Sequence, residues 1–259
     1  MPVDTAAIRI DYQLLFAIDP THRGLLTVEN GIEQSSYIIG PDDTPLSFTP
    51  DGQSTFERVV RYTRDGIYHI AIGWDHILFV ITLLLPSVLV YRERQWQPSE
   101  SFKESFRKIA RVVTMFTVAH SITLWMAVTE TVVWSSSVIE SSIAASIVAA
   151  AALNLNPGWR IAPWAMAGGF GLIHGFGFAG VLADQGLNRS NLFTGLLGFN
   201  VGVEVGQLAI VLVLFPIMFA VRRRPWYRYR VLDNGSVLIA LVGAAWFVER
   251  AFGLEFMPF

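Results

Sequence analysis

Three histidines, His76, His120 and His174, lie inside long apolar stretches of a chain with only five histidines in all. Asp75 directly precedes His76, and His69 comes seven residues earlier, about two helical turns and so on the same face. Imidazole and carboxylate suit nickel, cobalt, iron and zinc, and three imidazoles with one open position suit a catalytic zinc. Glu140 and Glu204 place two more carboxylates inside apolar runs; Asn200 and Gln207, seven apart, share a face near Glu204. Ionisable groups inside a spanning helix are costly and are turned toward a cavity, a partner or a substrate path. Two readings stand. In one, His76, His120 and His174, with His69 as a fourth, Asp75 and one or both of Glu140 and Glu204 hold a divalent transition metal (Ni, Co or Zn); Asn200 and Gln207, and a glutamate that does not ligate, orient the ligands or handle protons. In the other, the histidines bond to one another, to Ser121, Thr123 and backbone carbonyls, and serve packing.

Such groups need helices around them. Of the 259 residues, 53% are apolar and 15% charged, against about 25% charged in a soluble domain. The apolar residues fall in long runs, which points to an all-α polytopic membrane protein. About six transmembrane helices are expected, near residues 66–90, 109–128, 132–155, 161–183, 192–221 and 236–248. Residues 1–65 are different. Short β-prone runs alternate with turn signals at Asn30-Gly31, Pro41-Asp42-Asp43 and Pro50-Asp51-Gly52, and predict a small β-rich extracytoplasmic region before the helical domain of residues 66–259. His22, in that region, reads as a surface residue. No basic start followed by an apolar core marks a cleavable signal peptide. Cysteine is absent, which removes disulfides and thiolate ligands, and the basic residues form no extended groove for nucleic acid.

Charge placement orients the helices. Arg92, Arg94, Lys103, Arg107, Lys108 and Arg111 follow the first span, and Arg222, Arg223 and Arg224 follow the fifth. Six spans put both basic loops on one side, which the positive-inside rule makes cytoplasmic. Both termini are then extracytoplasmic. At about 1.5 Å per residue, His76 lies about 15 Å below the outer surface, His174 about 14 Å, and His120, Glu140 and Asn200 about 12 Å. Glu204 lies about 18 Å down and His69 about 5 Å. All but His69 form one belt between the outer half and the midplane. Gly168, Gly169, Gly171, Gly175 and Gly177 either let helices approach closely or let the fourth span open around a site.

Four stretches carry a family resemblance. His69-Ile-Ala-Ile-Gly-Trp-Asp75-His76-Ile-Leu-Phe79, Phe116-Thr-Val-Ala-His120-Ser-Ile-Thr-Leu124, His174-Gly-Phe-Gly-Phe-Ala179 and Gly198-Phe-Asn200-Val-Gly-Val-Glu204-Val-Gly-Gln207 resemble, in order, the HupE/UreJ family of bacterial membrane proteins. The similarity spans about residues 65–250. It implies a nickel or cobalt permease associated with hydrogenase or urease maturation, with metal residues at His69, Asp75, His76, His120 and His174. Ile70 stands where hydrogenase-linked members have proline, and the outer region is larger, so the chain resembles the family's second branch. Two alternatives remain beside transport. One is a zinc-dependent intramembrane hydrolase acting on a lipid or membrane-anchored peptide, with Asp75 or Glu140 as general base. The other is a non-transporting metal sensor or a partner in metalloenzyme maturation.

Overall fold

The computed structural model describes residues 8–14, 24–30, 33–40, 46–48, 55–129, 131–132, 134–158, 161–177 and 189–254. His22, residues 178–183 of the expected fourth span, and the turn signals Gly31, Pro41-Asp42-Asp43 and Pro50-Asp51-Gly52 lie outside the described residues. Four short strands come first: β1 (Ile8–Ile10), β2 (Gly24–Asn30), β3 (Glu33–Ile39) and β4 (Leu46–Phe48). They form two antiparallel pairs, β1 with β4 and β2 with β3. A third antiparallel pair, β5 (Leu89–Arg92) with β6 (Gln95–Pro98), turns through Glu93 and Arg94, both at positive φ. The helices are α1 (Thr55–Ile72), α2 (Trp74–Leu84), α3 (Phe102–Val128), α4 (Ser136–Leu155), α5 (Pro163–His174), α6 (Arg189–Val221) and α7 (Asn234–Phe252). A π-helical segment, Tyr227–Asp233, leads into α7.

The protein is largely helical and multi-pass, but six full spans are not what the described residues form. Four helical segments are long and apolar enough to cross a membrane: Phe102–Val128, Ser136–Leu155, Phe193–Val221 and Tyr227–Phe252. A fifth crossing is α1 and α2 taken together, bent by 73°. The stretch expected as one span over 66–90 is therefore two helices meeting at Gly73. The first begins at Thr55, inside the region expected to be β-rich. Charges at Glu57, Arg58, Arg61, Arg64 and Asp65 hid it from a search for apolar runs, while Tyr62, Gly66 and Ile70, four apart, form its buried stripe. Described α5 is 12 residues, about 18 Å at 1.5 Å per residue and short of a bilayer core of about 30 Å.

Two glycine seams set the packing. On α6, Gly198, Gly202 and Gly206 recur every four residues and meet α1. A Cβ at Gly202 would stand 2.1 Å from the Thr63 carbonyl oxygen, and one at Gly66 2.1 Å from that of Phe199. Thr63 Oγ1 donates to the Gly198 carbonyl across this seam at 3.1 Å. On α5, a Cβ at Gly171 would meet Phe116 O at 2.5 Å and one at Gly175 would meet His120 O at 2.4 Å, so α5 lies directly on α3. Without a hydrophobic force between helices in lipid, this close backbone approach is a main source of association. Gly169 has nothing within 4 Å and Gly168 only the Met115 methyl at 4.0 Å, so these two are not part of the seam.

The two basic loops sit at one end of the molecule, as expected. Arg222 Nε donates to Ser99 O at 2.6 Å and Arg223 pairs with Glu100. Ser105 Oγ donates to Ser99 Oγ at 2.6 Å, and Ser101 caps α3 through Glu104 N. Arg222 also lies over the Phe219 ring, 3.4 Å from its centroid.

The seams generate a contrast. Gly202→Ala is expected to destabilise the protein by about 1–3 kcal/mol, because the neighbour is backbone and cannot rotate away. Gly169→Ala is expected to leave stability unchanged or slightly raised. Thermal unfolding of both variants in one detergent checks this; equal midpoints would contradict the seam.

Candidate metal centre

The site forms where the first crossing breaks. Gly73 has extended backbone at ψ 98°, and the hydrogen bonds Gly73 N to His69 O (2.9 Å) and Ile77 N to Gly73 O (3.0 Å) carry the chain round the bend. A side chain at Gly73 would collide with the surrounding groups: a Cβ there would lie 2.8 Å from His69 O, 2.8 Å from His76 Nδ1 and 2.9 Å from Asp75 Oδ1. Glycine thus lets three candidate ligands crowd one corner. His69 ends α1, while Asp75 and His76 occupy the first turn of α2, where the helix dipole favours a carboxylate. His174 ends α5. Ligand atoms of Asp75, His76 and His174 lie within 4.8 Å of one another. The His69 and His76 ring centroids are 4.5 Å apart, and those of His76 and His174 5.6 Å.

Hydrogen bonds decide where the lone pairs point. His76 Nδ1 is 2.9 Å from Asp75 Oδ1; an ionised carboxylate only accepts, so Nδ1 carries the proton and Nε2 is bare. Nε2 is buried without a partner among the described residues. His174 is fixed in the opposite sense. Ser146 Oγ donates its one hydrogen to Ile143 O at 2.7 Å and lies 2.9 Å from His174 Nε2. Its oxygen can then only accept, so Nε2 is protonated and Nδ1 is bare, also buried and unpartnered among the described residues. Buried polar atoms are normally satisfied. Two bare imidazole nitrogens beside a carboxylate, each ring held by a hydrogen bond from its other nitrogen, fit a divalent metal.

The remaining polar residues do not join one belt. His120 is fully buried, its ring 6.1 Å from that of His76, with neither nitrogen hydrogen-bonded among the described residues. It stands behind His76, outside the set of ligand atoms within 4.8 Å. Glu140 lines the same cavity as the histidines but is ion-paired to Arg250 at 3.1 Å. Glu204 and Gln207 face α3, while Asn200 bonds back to its own helix. Asn200 Nδ2 donates to Leu196 O, Thr114 Oγ1 donates to Glu204 at 2.6 Å, and Thr117 Oγ1 donates to Gln207 at 3.1 Å. The reason is the α1 seam. Asn200 and Glu204 sit two residues beyond Gly198 and Gly202, about 200° round the helix, so packing the glycines on α1 turns the polar face elsewhere. Of the fourth-span glycines, Gly177 lines the cavity.

The cavity has a volume of about 360 Å³. His69, Asp75, His76 and His174 line it together with Glu140, Trp74, Trp246 and Arg250. On the basic-loop side of the histidines lie phenylalanines. Phe116 and Phe79 lie 5.2 Å from the His174 ring by centroid, Phe79 packs on Phe116 at 5.0 Å, and Phe170 lies 5.8 Å from Phe79.

A family model described as HupE / UreJ protein matches residues 48–250. The chain belongs to the HupE/UreJ family. No curated protein and no solved structure matches it. Membership and the buried His/Asp cluster together make this HupE/UreJ chain a metal-associated, multi-pass membrane protein. Sequence reading missed Ser146, Gly73, Trp74, Trp246 and Arg250. Ser146 was hidden among the many serines of α4, and only its distance from His174 singles it out.

Ser146→Ala is expected to weaken Co(II) or Zn(II) binding about tenfold or more, since removal of a hydrogen bond orienting a ligand histidine typically costs that much. Equilibrium competition against a chromophoric chelator measures it. Wild-type affinity in this variant would contradict the tautomer assigned to His174.

Proposed function

We propose that this chain is a permease for a divalent transition-metal ion of the nickel or cobalt type. It takes the ion from the extracytoplasmic side of a bacterial cytoplasmic membrane onto an intramembrane His/Asp site. The observation that carries this reading is the break at Gly73, which sets His69 on one half-helix and Asp75 and His76 on the other. Discontinuous helices at a buried polar site are how many transporters hold ions. His69 meets the ion, His76, His174 and Asp75 replace its water, and His120 behind His76 supplies the next imidazole. Capture must be strong enough to strip hydration and weak enough to allow release. Glu204 and Gln207 brace α6 against α3 in this scheme, and neither they nor Asn200 ligate.

One observation favours a second reading. The phenylalanines beneath the site close it toward the basic end, and polar groups deeper down are already used. Asn154 Nδ2 donates to Thr82 O (2.9 Å) and Ser236 Oγ (3.3 Å), and Tyr227 donates to Leu85 O (3.0 Å). A site with access from one side suits a zinc-dependent hydrolase of a lipid or membrane-anchored peptide. There a zinc held by His76 and His174 would supply an activated water, and Asp75 or Glu140 would take its proton.

Reconstitution separates the two. Saturable uptake of nickel or cobalt into proteoliposomes, reduced at least tenfold in His76→Ala and His174→Ala, is the expected result. Stoichiometric zinc that stays bound with no uptake would replace the permease by the hydrolase.

A further inference from the structure

The α7 part of the cavity wall carries groups that a bare cation has no use for. Trp246 and Arg250 are four residues apart, one turn on a single face, and both line the cavity. A guanidinium and an indole N–H are donors only. Neither can ligate a metal; both bind oxygen anions. Trp246 Nε1 is buried with no partner among the described residues. Arg250 is held from behind: Glu140 Oε2 faces Nε at 3.1 Å, and Ser137 Oγ donates to the Arg250 carbonyl at 2.8 Å. Its Nη2 is ion-paired to Glu249 Oε1 at 3.7 Å, longer than a hydrogen bond, so the guanidinium's planar fork is only loosely engaged there. A planar fork of that kind matches a carboxylate. The volume of about 360 Å³ also falls in the range of small-molecule pockets, about 300–1,000 Å³, and Trp74 and Trp246 give it two aromatic surfaces.

We infer that the cavity receives its metal ion together with a small carboxylate-bearing chelator. The ion sits at His76 and His174, and the carboxylate sits on the Arg250 fork and the Trp246 N–H. This rests on the metal site of the proposed function and names the form in which the ion is bound. Glu140 is a positioning residue in it, turning the guanidinium so that its terminal amino groups face the ligand.

The test uses the full chain in mild detergent with Co(II) and, in separate arms, radiolabelled citrate and radiolabelled L-histidine. Cobalt absorption reports the metal and retained label reports the chelator on the same samples. The expected result is label retained near one per chain in at least one arm, only when cobalt is present. Trp246→Phe and Arg250→Lys, which keep ring and charge, should each lower retention about tenfold, the loss of one hydrogen bond to a charged group. Cobalt bound with no label in either arm would overturn the inference and leave the metal site standing. Label that both variants retain as well as the wild type would also overturn it. A chain that binds neither cobalt nor label would remove the metal reading itself, and the inference with it.

Discussion

Everything at the site depends on a helix that stops within the apolar part of the protein. Backbone amides and carbonyls cannot be left bare in lipid, so a break is tolerated only where protein or a cavity covers it. Gly73 keeps the bend compact, with hydrogen bonds running from Gly73 N back to His69 O and from Ile77 N to Gly73 O. The 73° bend redirects the second half-helix, so two residues that would share one face of a straight helix face each other across a corner. His69 and His76 meet at 4.5 Å because of the break; on an unbroken helix, seven residues would separate them by about 10 Å along the axis.

The other ligands reach that corner through the glycine seams. Gly175 lies against His120 O and Gly171 against Phe116 O, so the end of α5, with His174, is placed by direct contact with the α3 backbone. Ser146 completes the placement from α4. The four histidines therefore come from four elements, and small residues place three of them: the glycine at the bend for His69 and His76, and the α5 glycines with a serine on α4 for His174. Small residues do here what bulky core residues do in soluble proteins, since close approach is the available source of rigidity in lipid.

This explains what was legible in the sequence. The histidines and aspartate could be picked out because ionisable residues in apolar runs are rare. The basic loops could be paired, and Arg222 on Ser99 O joins them. Depth alone cannot assign a face, so Glu204 reads as part of the belt although it accepts from Thr114 on α3. The start of α1 at Thr55 was hidden because five of the helix's 18 residues are charged, all in its first eleven, and hydropathy alone sees only apolar runs. Trp246 and Arg250 sit near the end of α7, beyond the last expected span in the case of Arg250, where aromatic and basic residues ordinarily read as interfacial anchors. Ser146 could be found only from three dimensions, because its meaning is one distance.

The phenylalanines under the site follow a rule tied to the ligands. Phe79 is three residues after His76, Phe116 is four before His120, and Phe170 is four before His174. Each lies one turn from a histidine on its own helix, toward the end carrying the basic loops, and the three rings pack together. A rigid helix cannot shift its histidine without shifting its ring. Opening a path toward the basic end therefore needs α2, α3 and α5 to separate, and the same separation pulls His76 and His174 apart. Ion release and the parting of the seal would be a single motion. A resident metal would instead hold those helices together and keep the seal shut. The same three rings thus serve either reading, and what distinguishes them is whether the ion binds tightly enough to hold the helices closed.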